Sequence, residues 1–405
     1  MTFVRSDTWR RVTVVAGLIL AAFAFNTTEN LPIGLLGLIS SDLHVSLPSV
    51  GYLVTGYGLT VAVVSVPLAH ATRQIPRRHV LSGLLLVLCL ATWISVLGSS
   101  YWLLLGARVA TALCQALFWA VQAPVAVGLF SKQVRGRVIA AMSVGGALAT
   151  VLGVPAGTWL GQQSGWRLPF VVLSGFGLFA LVAIAVLLPT TRPEESHGAF
   201  GTAPDARRFL IVLASTALSV TGMFVGFTYI VKFLGDVSGF SDSSVSAILM
   251  VFGLAGVAGV SLVGPLLDSR PRTALAVPVG VQAAALLGLY LGGRNQGVTI
   301  AMLALLGVSA APVFMAGQSR VLNVAPGRTE VALAANSAAF NVGVACGALI
   351  GGVALPSLEV RGTFGVGGLL TVVALLVLFG ESVLKPLPGV DRDAPQRSNG
   401  MILKP

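Results

Sequence analysis

The sequence predicts an all-α integral membrane protein of twelve transmembrane helices, arranged as two six-helix bundles related by pseudo-twofold symmetry. Composition is the first of three observations that predict it. Of 405 residues, 55% are Ala, Val, Ile, Leu, Met, Phe, Trp, Tyr or Cys, 48 more are Gly, and only 10% are charged; mean hydropathy is +0.90. A soluble domain carries about 25% charged residues, so too little charge remains to solvate domains of this size. The second observation is a series of apolar runs long enough to cross a hydrocarbon core about 30 Å thick. The third is their grouping into two sets of six, separated by a polar stretch.

The first run, 12–36, follows Arg10 and Arg11, and Ala22-Phe23-Ala24 imitates the cleavage region of a signal peptide. The apolar pattern continues through Leu31 to Leu36 with no soluble domain behind it, so it reads as the first spanning helix. Runs at 46–69, 79–98, 101–124, 136–161 and 168–188 complete the first set; 209–233, 244–266, 273–292, 298–322, 330–353 and 362–384 form the second. Nearly every gap carries charge, Gly or Pro. The implied organisation is a bundle at 1–189, a cytoplasmic linker at 190–208 with Pro193, Glu194, Glu195, Gly198, Gly201 and Pro204, a bundle at 209–384 and a cytoplasmic tail at 385–405. Two local matches support a parallel repeat. Pro67-Leu-Ala-His-Ala-Thr-Arg and Pro265-Leu-Leu-Asp-Ser-Arg lie 198 residues apart, and Gly136-Arg137 and Gly327-Arg328 lie 191 apart. Such repeats place a substrate path at their interface.

The net charge of +11 could signal nucleic acid or acidic lipid. With both termini in the cytoplasm, however, twenty of the 25 Lys and Arg fall in inner loops, four (Arg167, Lys232, Arg294, Arg361) fall outside, and Arg108 lies within a helix. That bias is the positive-inside pattern. It implies a multi-pass protein of the inner (plasma) membrane with lipid around it, and removes the case for nucleic acid. Cys89, Cys114 and Cys346 are an odd set inside apolar runs, and His44, His70, His79 and His197 have no ligand spacing. Neither a metal nor any other cofactor is expected.

Charge inside a spanning helix is expensive and therefore informative. Glu29 lies deep in the first run, with Asn26 and Asn30 on its helical face, and Pro32 leaves the Thr28 carbonyl without its helical donor. A carboxyl partly withdrawn from water there can bind and release a proton. Arg108 heads a polar stripe with Thr111, Gln115, Trp119 and Gln122. The residues alone leave Arg108 open as either a fixed charge acting on Glu29 or a structural group bonded to carbonyls. The glutamines are equally open between substrate contact and interhelical bonding. In the second set Tyr229, Gln318 and Asn341, with Thr221, Thr228 and Asn336, are the polar candidates, and no equally central charge is expected. Gly153, Gly157 and Gly161 around Pro155 allow close backbone approach, either as a surface on which the bundles rock or as plain tight packing.

Taken together these residues resemble the major facilitator superfamily, and within it the proton-driven drug and sugar efflux group, over nearly the whole chain. Thr28-Glu29-Asn30-Leu31-Pro32-Ile33-Gly34-Leu35-Leu36 resembles that group's first-helix signature, whose acid the resemblance assigns to proton and substrate binding. Ala69 to Leu81 stands where the loop motif between helices two and three belongs, with Arg73, Arg77 and Arg78 as its basic part but Ala69 and Thr72 near the positions of its usual Gly and Asp. Asp268 and Arg270 take up the charges in the second-half repeat. Arg108-Val109-Ala110-Thr111 resembles the fourth-helix motif whose Arg is proposed to assist proton transfer, with Ala112 where Gly is usual. Gly153-Val154-Pro155-Ala156-Gly157 resembles the antiporter motif of helix five, Val154 replacing a Gly. Gly165-Trp166-Arg167 with Phe170 also matches the efflux group.

The expectation is a monomeric secondary transporter, not an enzyme, that exports a small organic compound in exchange for protons by alternating access. The compound is drug-like and neutral or weakly charged, or a sugar. Glu29 and Arg108 are the expected proton-coupling residues. Asn26, Asn30, Gln115, Trp119, Gln122, Tyr229, Gln318 and Asn341 are the expected substrate contacts. Arg73, Arg77, Arg78, Gly153, Pro155, Gly157, Asp268 and Arg270 are the expected gating residues. The alternatives are a proton-coupled or facilitated importer of a nutrient such as a sugar, a membrane-embedded enzyme, and a sensor.

Overall fold

A computed structural model describes residues 2–72, 74–130, 135–190, 204–326 and 329–383. Arg73, most of the linker, Gly327-Arg328 and the tail from 384 lie outside the described residues. Among those described, all regular structure is helical, because a chain in hydrocarbon must satisfy its own backbone polar groups. The first bundle contains α1 (Thr2–Gly34), α2 (Leu36–Leu43), α3 (Leu47–Ala71), α4 (Arg77–Leu97), α5 (Tyr101–Gly128), α6 (Arg135–Leu148), α7 (Val154–Ser164) and α8 (Arg167–Leu187). The second contains α9 (Ala206–Phe227), α10 (Ile230–Asp236), α11 (Asp242–Val263), α12 (Leu266–Ser269), α13 (Pro271–Gly292), α14 (Gln296–Val324) and α15 (Thr329–Val383).

Ten described helices are long and apolar enough to cross a membrane, against twelve runs in the sequence. Two local features account for the difference. A π turn at Ala149–Gly153 splits the fifth run into α6 and α7, with Pro155 two residues beyond it. The eleventh and twelfth runs join as α15, whose 55 residues would measure about 80 Å if straight. Instead the chain bends at Glu359, which adopts φ 56° and ψ 171°. Before the bend Gly343, Gly347 and Gly351 meet Ala217, Thr221 and Val225 of α9 in ascending order. After it Gly367 meets Gly222, and Ser215 donates to Ala374 at 3.1 Å, in descending order. The element is a hairpin of two antiparallel helices on α9.

The repeat is visible in contacts. Arg167 at the start of α8 donates to Val96 and Gly98 at the end of α4, at 3.0 and 3.2 Å. Arg361, after the bend in α15, donates to Tyr290 and Leu291 at the end of α13, at 2.6 and 3.3 Å. Arg167 and Arg361 are 194 residues apart, as are Val96 and Tyr290.

The helices define a terminal end, near the starts of α1 and α9, and a distal end, near α2 and α10. At the distal end one apolar core joins the bundles, including Leu31, Leu53 and Trp166 with Phe233, Phe252 and Phe364. At the terminal end the cores are separate, one around Leu18, Leu81 and Ile184 and the other around Val212, Leu275 and Val321. The bundles are therefore sealed together distally.

Candidate functional site

The site is built where α1, α3 and α5 meet. Pro32 lies inside α1 and removes the amide hydrogen that would bond the Thr28 carbonyl. Arg108 of α5 supplies a replacement, donating to the Thr28 and Glu29 carbonyls at 2.9 Å each and to Leu53 of α3 at 3.5 Å. It is 3% exposed, and its guanidinium lies 4.8 Å from the centroid of the Tyr57 ring. Its hydrogen bonds go to backbone carbonyls while its charge also acts on Glu29, so the placement carries both features that the sequence leaves open for Arg108.

Glu29 is half-buried, as are Asn26 and Asn30 on the same face. Its Oε2 accepts from Gln115 Nε2 at 2.5 Å, and Gln115 Oε1 accepts from the Tyr57 hydroxyl at 2.5 Å. Tyr57 is the residue that sequence reasoning missed. A lone Tyr between Gly56 and Gly58 in an apolar run looks like packing, and the available signal was that a buried phenol in a membrane needs a partner. Asn30 turns back to the Asn26 carbonyl at 3.0 Å. A Cβ on Gly146 would lie 3.2 Å from the Asn26 amide nitrogen and 3.8 Å from the Trp119 ring, so α1, α5 and α6 bring these three together. Trp119 is 38% exposed, whereas Phe118 is buried against Phe25. Gln122 is buried, and among the described residues its Oε1 has no hydrogen-bond partner.

The second-bundle candidates do not gather at Glu29. Tyr229 is fully buried at the break between α9 and α10, packed on Gly51 of α3 and on Gly352, so it joins the bundles rather than facing an open space. Asn341 donates to Ser337 of its own helix at 2.9 Å, and its backbone carbonyl faces Gly58. Gln318 is half-buried on α14 beside Gly317, which faces Thr216 and Asn336.

Among the gating candidates, Arg78 bonds the Ala185 carbonyl and Thr190 near the end of α8, within its own bundle. Arg77 is half-buried at the start of α4, Arg270 is exposed, and the Asp268 side chain lies outside the described residues. Gly153 and Gly157 pack on Thr27 and Leu31 of α1, and Gly161 packs on Leu35 between α1 and α2. The inter-bundle contact runs along the neighbouring surface: Ser246 of α11 donates to the Pro155 carbonyl at 2.7 Å, and Gln162 to that of Asp242 at 2.9 Å. One expectation is corrected. Arg320, counted with the inner loops, is buried within α14 on Glu381 of α15, with Arg272 3.4 Å from the same carboxylate. The second bundle thus does hold a buried ion pair near its terminal end, with the exposed Arg272 beside it. Among the described residues no three His, Cys, Asp or Glu side chains converge as a metal site.

Comparison with known proteins agrees with this architecture. The Major Facilitator Superfamily model matches residues 18–328. The chain is 30% identical over 363 residues to a probable sugar efflux transporter of Pasteurella multocida (strain Pm70), covering 89% of each. Among solved structures it resembles the nucleoside transporter NupG (TM-score 0.76, 9% identity, 92% and 99% of the two chains). It also resembles a bacterial homologue of the human lysosomal transporter Spinster, solved inward-facing and unoccupied (TM-score 0.70, 15% identity, 92% and 97%).

Proposed function

The chain belongs to the Major Facilitator Superfamily, and from that premise we propose that it exports a sugar or similarly small, neutral hydroxyl-bearing compound in exchange for protons. The observation that carries this reading is Glu29, a half-buried carboxyl within a spanning helix whose side-chain partner is a neutral amide, while Arg108 is committed to carbonyls. As a carboxylate Glu29 accepts hydrogen bonds from substrate hydroxyls; once protonated it loses part of that capacity, so proton and substrate compete. Coupling then requires only that the two occupants favour the two facing states differently. The relative's name, which speaks of sugar efflux, and the amides of Asn26, Asn30 and Gln115 near the acid support a hydroxyl-bearing cargo. The positive-inside bias of its basic residues supports a cytoplasmic terminal end, and in that orientation the distal seal closes the outer face.

The test is transport in proteoliposomes under an imposed pH gradient, with a panel of radiolabelled mono- and disaccharides. The wild type should accumulate at least one of them against its gradient, and Glu29→Gln should abolish that accumulation while leaving passive exchange. Full gradient-driven accumulation by Glu29→Gln would overturn the assignment, and accumulation in the same direction as the proton flux would identify an importer.

A further inference from the structure

From the geometry around Glu29 we infer that Tyr57 is a positioning residue for the proton site: its hydroxyl locks the Gln115 amide with the nitrogen toward Glu29, which selects the deprotonated carboxylate. The inference rests on Glu29 being the proton-carrying group. A glutamine amide has an accepting oxygen at one corner and a donating nitrogen at the other. With the Tyr57 O–H spent on Oε1 at 2.5 Å, only Nε2 can face Glu29, and it does so at 2.5 Å. A donor in that position bonds a carboxylate well. A protonated carboxyl would instead be served by an acceptor, which requires the amide to turn over and leaves the Tyr57 O–H without its Gln115 acceptor.

Tyr57 is suited to this role because it cannot move away. It is 1% exposed, and the Arg108 guanidinium over its ring is itself tied to α1 and α3. Removing the hydroxyl leaves one end of the buried Gln115 amide unpaired in either orientation, so the preference for nitrogen toward Glu29 is lost and the turned amide, its Oε1 accepting from a protonated carboxyl, becomes accessible. Among the described residues, the ionisable groups facing the site are few. They are Tyr57 from α3 and Arg108 and Cys114 from α5, while Arg167 of α8 is held by Asp42 and Lys232 of α10 by Asp236. The π turn and α7 carry no ionisable residue, and Arg135 and Arg137 of α6 belong to the terminal end.

Infrared difference spectroscopy across a pH series on the purified full chain tests this, using the carboxyl C=O band that Glu29→Gln deletes. Tyr57→Phe keeps the ring over Arg108 and should move the pH at which that band is half lost toward the alkaline side, a gain in proton affinity of about two- to tenfold, the range of one neutral hydrogen bond. In a Gln115→Leu background, which keeps side-chain volume, the same substitution should move nothing. An unmoved band in Tyr57→Phe, or a shift that persists without Gln115, overturns the inference. If instead the band shifts as expected but Glu29→Gln still accumulates sugar under a pH gradient, the coupling role fails and the placement of Tyr57 stands.

Discussion

At the scale of single residues, Arg108 and Pro32 form a compensating pair. The proline removes one helical donor from α1, and the arginine, arriving from α5, bonds the carbonyl thus freed. Arg108→Ala should therefore lower stability in the wild-type background more than in Pro32→Ala, where the amide of residue 32 can serve Thr28. A double-mutant cycle of detergent-solubilised protein, read by thermal unfolding, should show a coupling of about 1 kcal/mol. Additive effects would mean that Arg108 acts elsewhere. Glu29, Arg108 and Gln115 were legible in the sequence because polar side chains in an apolar run are costly unless matched. Tyr57 and the partner of Arg320 were not. A phenol passes as an apolar ring, and Glu381 stands so near the end of its run that only the fold reveals its burial.

Among elements, the short α2 is tied to the first turn of α8. Asp42 accepts from the Trp166 indole at 3.0 Å and from Arg167 at 2.6 Å, and these donors, Trp166 foremost, hold its carboxyl below the ordinary value. A depressed folded value means the group stabilises the native state above the unfolded carboxylate value, about 3.9, and loses that contribution as pH falls through the folded value. The stability gap between the wild type and Asp42→Asn should accordingly be full at pH 7 and shrink as pH falls below the unfolded carboxylate value of about 3.9, measured as the difference in unfolding temperature. A gap that is constant or grows in acid would contradict it. Apolar run length made most spanning elements legible, since the bilayer imposes that length. It could not place the π turn or the bend at Glu359, because a run reports hydrophobicity and not the hydrogen-bond register within it. The repeat was legible only roughly, at 198 and 191 residues, because the pairs at 194 are side chains on backbone carbonyls, which leave no matching residue on the accepting helix.

Over the whole molecule, the bundles share one core at the distal end and keep two at the terminal end, so under the proposed alternating access a change of facing breaks the distal seam. Part of that seam is backbone against backbone. A Cβ added at Gly253 of α11 would lie 2.6 Å from the Thr150 carbonyl oxygen and 2.8 Å from the Val151 Cα, and neither atom can swing aside as a side-chain tip could. Gly253→Leu should therefore disfavour the sealed arrangement more than it disturbs either bundle, because a packed interface separates rather than deforms. The reporter is Ser246→Cys, two turns toward the distal end, where the native hydroxyl bonds the Pro155 carbonyl. It is placed in a background with Cys89, Cys114 and Cys346 replaced by alanine. In intact cells a membrane-impermeant maleimide should label this cysteine slowly in the sealed parent and several-fold faster with Gly253→Leu. Gly83→Leu, at a position of α4 with open space around it, should leave the rate unchanged. Equal labelling of the parent and Gly253→Leu would mean that the seam does not limit opening; acceleration by Gly83→Leu as well would point to general loosening. Acceleration confined to Gly253→Leu would tie the distal end to the cell exterior and the seam to the change of facing, since the reagent acts only from outside and the half-buried position 246 gains exposure when the bundles part.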